Sequence, residues 1–127
     1  MATPKILSVG QCRMDHGSIS RHLRQAFNAE TTAADTADKA LDALRSGPFD
    51  LVLINRVGDR DGLPGADLIR AIRADPALAE TPLMLVSDRP DAQREAETLG
   101  ARPGFGKSNM RTADARERLA AVLEPAD

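Results

Sequence analysis

Asp50-Leu-Val-Leu-Ile-Asn55 is the stretch on which the fold turns. Four consecutive aliphatic residues with no polar alternation describe a strand covered on both faces, the kind found in parallel sheets flanked by helices. Lys5-Ile-Leu-Ser-Val9 and Leu83-Met-Leu-Val86 have the same character. Between these runs the apolar period becomes helical. Ile19, Leu23, Ala26 and Phe27 share one helix face, and Ala37, Ala40, Leu41 and Leu44 share another. Leu68, Ile69 and Ile72 form a third stripe, Ala92, Ala96 and Leu99 a fourth, and Ala115, Leu119, Val122 and Leu123 a fifth. Two weaker strands, Glu30 to Ala34 and Arg102 to Gly106, complete the series. The first is polar enough for a sheet edge, and the second contains Pro103 and two glycines.

Strictly alternating strands and helices imply an α/β fold with a parallel sheet and helices on both faces. Punctuation residues agree. Gly47-Pro48 closes the second helix, Asp75-Pro76 the third, and Gly100 stands where a helix C-terminus favours a left-handed residue. Asp88 ahead of Pro90, and Ser108, Asn109 or Thr112 ahead of the last stripe, are the expected N-caps.

Composition narrows the class of function. With 127 residues and 42% hydrophobic side chains the chain suits one domain, residues 1–127. Lys and Arg number 17 against 19 Asp and Glu, and no basic run tracks a phosphate backbone, so nucleic acid is not an expected partner. Three Phe, with no Trp or Tyr, leave no stacking platform for bases or sugars. No stretch approaches the roughly 18 apolar residues of a membrane span, and no secretory leader is recognisable, so no membrane association and a cytoplasmic location are expected. The lone Cys12 fits a reducing compartment.

In open α/β sheets ligands bind beyond the carboxyl ends of the strands, here at Gly10-Gln11-Cys12, Asn55-Arg56, Ser87-Asp88 and Lys107-Ser108. Taken with Ile6-Leu-Ser-Val9, Phe49-Asp-Leu-Val-Leu-Ile54, Asp67-Leu-Ile-Arg-Ala-Ile-Arg73, Thr81-Pro-Leu-Met-Leu-Val-Ser87 and Gly100-Ala101, the chain resembles, over essentially its whole length, the receiver domain of two-component response regulators. The resemblance implies a single flavodoxin-like (βα)5 doubly wound domain with a five-stranded parallel sheet of order 2-1-3-4-5. It also implies a site that transfers a phosphoryl group to an aspartate at the end of the third strand. In that family an acidic pair after the first strand holds Mg²⁺, a Ser or Thr after the fourth contacts the phosphoryl group, and a Lys after the fifth pairs with it. Ser87 and Lys107 match, but Asn55 occupies the acceptor position and Gly10 and Gln11 the acidic pair.

The chemical consequence of those three departures is direct. An amide is neutral and a poor nucleophile, whereas an acyl phosphate needs a carboxylate oxygen and a metal to neutralise the donor. Mg²⁺ seeks hard oxygen ligands, usually including carboxylates, and Gly10 and Gln11 supply none. We therefore expect no metal, no cofactor and no catalysis, with Lys107 held by the Asn55 side-chain oxygen, a backbone carbonyl or a nearby acid. Ser87 is either a retained pocket residue or a cap on the following turn. The loop Arg56 to Ala66 is longer than the family norm and contains Asp59 and Asp61, candidate substitute acids expected to sit solvated and cap the next turn, or else to approach the pocket and salt-bridge Arg56 or Lys107. The family's switch aromatic would lie three residues before the lysine, where this chain has Gly104, with Phe105 on the opposite strand face.

Three motifs are weaker. Ala101-Arg-Pro-Gly-Phe-Gly-Lys-Ser108 satisfies a relaxed Walker A pattern, but it stands too near the C-terminus for the later strand and Mg²⁺-holding acid a nucleotide site needs. Cys12 follows the first strand as the nucleophile does in small tyrosine phosphatases, yet the position six residues on is Ser18 and not the arginine that would grip phosphate. His16 and His22, with Asp15, are spaced wrongly for one helical metal face and read as helix-surface histidines.

The expected function is that of a stand-alone pseudo-receiver in bacterial two-component or phosphorelay signalling, acting by docking without aspartyl phosphorylation. The family's interaction face would comprise Pro90 to Leu99, Arg102 to Gly106 and Asn109 to Leu123. Its mixed charges suit polar pairing with another signalling protein or with a second copy. The alternative is a single-domain response regulator phosphorylated by a histidine kinase on Asp59 or Asp61.

Overall fold

The computed structural model describes residues 3–124, in which five strands alternate with five helices. They run β1 Lys5–Val9, α1 Arg13–Phe27, β2 Glu30–Ala34, α2 Ala37–Ser46, β3 Leu51–Asn55, α3 Gly65–Ala74, β4 Leu83–Val86, α4 Pro90–Thr98, β5 Arg102–Phe105 and α5 Ala113–Leu123. All strand pairs are parallel and the order is β2-β1-β3-β4-β5, so the two weakest strands are the edges. This is the flavodoxin-like order.

The sheet separates two apolar layers. On one side Leu7, Val9, Val52, Ile54, Leu83 and Leu85 meet the inner faces of α2, α3 and α4. On the other, Ile6, Leu51, Leu53, Met84, Val86 and Phe105 meet α1 and α5 through Ile19, Leu23, Phe27, Ala115 and Leu119. The three central strands β1, β3 and β4 thus feed both layers by alternation, which is why their sequences show no apolar-polar alternation. Phe105 lies in the α1/α5 layer, opposite Gly104, as strand geometry requires.

Capping residues explain most helix boundaries. Thr36 and Thr112 accept the N–H of Lys39 and Ala115, so Thr112 is the cap among the three candidates before α5. Asp88 does not cap α4, contrary to expectation: the cap position falls on Arg89, which makes no side-chain capping bond, because the Asp88 carboxylate is engaged by Ser108. Gly47 and Asp75 end α2 and α3, and Gly100 follows α4 with φ +105°.

Candidate functional site

The carboxyl ends of β1 and β3 adjoin at the centre of the sheet, where the strand order reverses, and β4 and β5 follow on one side. Asn55 is the last residue of β3 and is half-buried. Its Nδ2 donates to the Gly10 carbonyl at 3.0 Å and to the Val57 carbonyl at 2.9 Å. Two carbonyl acceptors fix the amide's orientation, because only the NH₂ end can answer them. The Asp59 N–H also donates to the Gly10 carbonyl, at 2.9 Å, so the β3–α3 loop is folded onto the end of β1.

Gly10 is a requirement of that fold and not merely a lost acid. Its φ is +75°, and a Cβ there would stand 3.0 Å from the Gly58 Cα as the loop passes over it. Beside it Gln11 is only 8% exposed, and both of its amide atoms are buried without a protein partner. Position 11 therefore carries a neutral buried amide, which brings no charge to the end of β1.

Lys107 finds the nearby acid that its position calls for in Asp15, on the first turn of α1, with Nζ to Oδ2 at 2.8 Å. Hydrogen bonding to Lys107 lowers the Asp15 pKa below its ordinary value, partial burial opposes this, and Cys12 adds a smaller lowering contribution. Cys12 itself caps α1, its Sγ accepting the Asp15 N–H at 3.4 Å, a helix-end role with no phosphate grip nearby. The aspartate was visible in sequence only as part of a histidine cluster. Its pairing with a lysine 92 positions away had no local signal.

Ser87 caps the turn after β4, its Oγ accepting the Arg89 N–H at 3.1 Å. The loop acids are both exposed, and Asp61 caps its own turn, the expected alternative to an ion pair. Asp61 accepts the backbone N–H groups of Ala37 and Leu63, both at 3.0 Å, and these bonds lower its pKa. Among the described residues neither Asp59 nor Asp61 forms an ion pair with Arg56 or Lys107, because the loop's own turn and the start of α2 claim Asp61. The Walker-like segment is also self-satisfied: Gly106 N–H goes to Asn109 Oδ1 at 2.8 Å, and the Ser108 hydroxyl and N–H go to Asp88 Oδ1 at 2.7 and 3.3 Å. No nest of free amides faces an anion there. His16 and His22 are half-buried rather than surface-exposed, and burial together with the Arg111 charge lowers the His22 pKa.

The Mg²⁺ implied by the family does not fit these residues. The Gly10 carbonyl already accepts two N–H donors and the Val57 carbonyl one, and positions 10, 11 and 55 contribute no carboxylate. Among the described residues no group of three or more His, Cys, Asp or Glu side chains is placed to hold a metal ion.

No protein-family model matches the chain. A curated relative, the chemotaxis protein CheY of Pseudomonas aeruginosa, is 33% identical over 100 residues, covering 79% of this chain and 77% of the relative. Solved structures agree in fold at lower identity. A sensor protein from Polaromonas sp. JS666 superposes with a TM-score of 0.83 at 16% identity, covering 97% of this chain and 98% of that one. The signal receiver domain of a DNA-binding response regulator from Colwellia psychrerythraea 34H gives 0.79 at 21% identity, covering 95% and 98%. The chain belongs to the CheY-like receiver family of response regulators, whose members are two-component signalling proteins that interact with other signalling proteins. No helix among the described residues is long and apolar enough to cross a membrane.

Proposed function

We propose that this protein is a pseudo-receiver: a single receiver-type domain that works in the cytoplasm by docking to a signalling partner, without aspartyl phosphorylation and without catalysis. The observation that carries this reading is the pair of hydrogen bonds from Asn55 Nδ2 to the Gly10 and Val57 carbonyls. They put a bound amide where a receiver needs a free nucleophilic carboxylate, and they occupy two carbonyl oxygens beside it. The Lys107–Asp15 pair supports the same reading, since the lysine is paired with an acid of α1. The docking face we assign to α4, β5 and α5, presented to another signalling protein or to a second copy.

Phosphorylation of Asp59 or Asp61 by a histidine kinase is the competing account. The backbone hydrogen bonds on the Asp61 carboxylate, one to each oxygen, count against Asp61 as acceptor, because they lower the nucleophilicity of both oxygens and tie the group to its own turn and to the start of α2. Incubation with a small acyl phosphate and Mg²⁺ followed by intact-mass measurement separates the accounts. We expect an unchanged mass. A single phosphoryl adduct mapped to Asp59 or Asp61 would establish the competitor.

A further inference from the structure

β4 and β5 lose register along their pairing. Met84 lies opposite Arg102 and Val86 opposite Phe105, so Pro103 and Gly104 together face Leu85. A bulge of this kind leaves ladder groups unpaired. Here a side chain from α4 meets them. Gln93 Nε2 donates to the Leu85 carbonyl at 2.9 Å and to the Ser87 carbonyl at 3.0 Å, with a longer contact to Phe105 O at 3.5 Å. Its Oε1 accepts the Gly104 N–H at 3.2 Å. The primary amide acts as a rung inserted between two strands, offering a donor and an acceptor as a peptide group does.

The carbonyl of the same glycine accepts a hydrogen bond from Arg118 Nη1 of α5. Both backbone polar groups of Gly104 are therefore held by side chains from two different helices. A side chain at position 104 is incompatible with this node, since its Cβ would collide with the Leu85 carbonyl oxygen. The node matters most for α4. That helix buries only Ala96 fully, packs Ala92 and Leu99 partly, and lacks a side-chain N-cap, so its apolar grip on the sheet is slight.

We propose that Gln93 and Arg118, meeting at Gly104, hold α4, β5 and α5 in one fixed arrangement, so that a partner reads a prebuilt surface and not one that switches. Gln93 is the positioning residue of that surface. The consequence for partner binding rests on the docking reading above, but the lock does not.

Amide hydrogen exchange and relaxation dispersion on the unmodified protein test it. In the wild type the Gly104 amide is protected and the α4 and β5 amides show no microsecond-to-millisecond exchange. In Gln93→Ala the Gly104 amide and those of α4 exchange at least about tenfold faster, while β1 and β3 amides stay within about twofold, the pattern of a local release. Arg118→Ala speeds α5 and leaves α4 protected. Dispersion across α4 and β5 in the wild type, or unchanged Gly104 protection in Gln93→Ala, would overturn the proposal. If Gln93→Ala does not fold, the wild-type dispersion decides by itself. A phosphoryl adduct on the wild type would defeat the functional reading and leave this measurement standing.

Discussion

Two corners of the sheet's carboxyl edge have been filled by different means. At β1 and β3 the pocket is closed mainly by backbone: the Gly10 and Val57 carbonyls grip the Asn55 amide, and the loop lies on a glycine with positive φ. At β4 and β5 the backbone is irregular, and side chains from α4 and α5 complete it. Each corner is completed by a primary amide, Asn55 in the first and Gln93 in the second. An amide has a donor and an acceptor of fixed geometry and no titration, so it satisfies a static structure and responds to nothing. The difference lies in degree: an added Cβ at Gly10 would approach the Gly58 Cα to 3.0 Å, whereas one at Gly104 would collide outright with the Leu85 carbonyl oxygen.

That contrast sets an order of effects. Gly104→Ala is expected to be the most damaging substitution, costing about 3 kcal/mol or preventing folding, because its methyl collides with a backbone oxygen that cannot step aside. Urea denaturation measures it, and a loss below that of the next variant would reverse the comparison. Asn55→Asp should cost about 1–3 kcal/mol at neutral pH, since it removes two donated bonds and sets a carboxylate against two carbonyls. The same titration reads it, and a stabilised variant would mean that the pocket welcomes negative charge. Gly10→Ala is expected at about 1–2 kcal/mol, from its φ of +75° and the 3.0 Å approach to Gly58 Cα. Restoring an aspartate there consequently carries a backbone cost that restoring one at Gln11 does not.

The smallest effect belongs to the Lys107–Asp15 pair, which is about one-third exposed on both sides. The Asp15 pKa is lowered in the folded state, so the pair's stabilisation is present above the unfolded pKa near 3.8 and fades as pH falls through the lower folded value. Asp15→Asn should therefore be less stable than wild type by under about 1 kcal/mol at pH 7, with the gap closing below pH ~4 and shrinking in high salt. Denaturation midpoints at pH 7 and pH 3 check the sign, and a gap that widens on acidification would contradict it.

The fold was legible because the three central strands and the helices each carry their own apolar pattern. Leu51 to Ile54 and Leu83 to Val86 are unbroken, the helical stripes fall on the buried faces, and Thr112 or Gly100 announces an end locally. That positions 10, 11 and 55 carry no acid was equally plain, since single residues decide it. What completes the site was not, because it depends on partners distant in sequence. Lys107 reaches back to α1, Gln93 answers a bulge that no strand period reveals, and Asp88 leaves its cap for Ser108 twenty residues on. The turn of Asp61 towards α2 is similarly set by where the loop lands.

The most direct measurement is the side-chain ¹⁵N–¹H resonance pair of Asn55 during a magnesium titration. Held by the Gly10 and Val57 carbonyls, the two Nδ2 protons should be inequivalent, slow to exchange with water and unmoved as Mg²⁺ rises to about 10 mM, far above the needs of a competent carboxylate site. A saturable shift of that pair, with loss of its exchange protection, would show the amide yielding to a cation and would contradict the account.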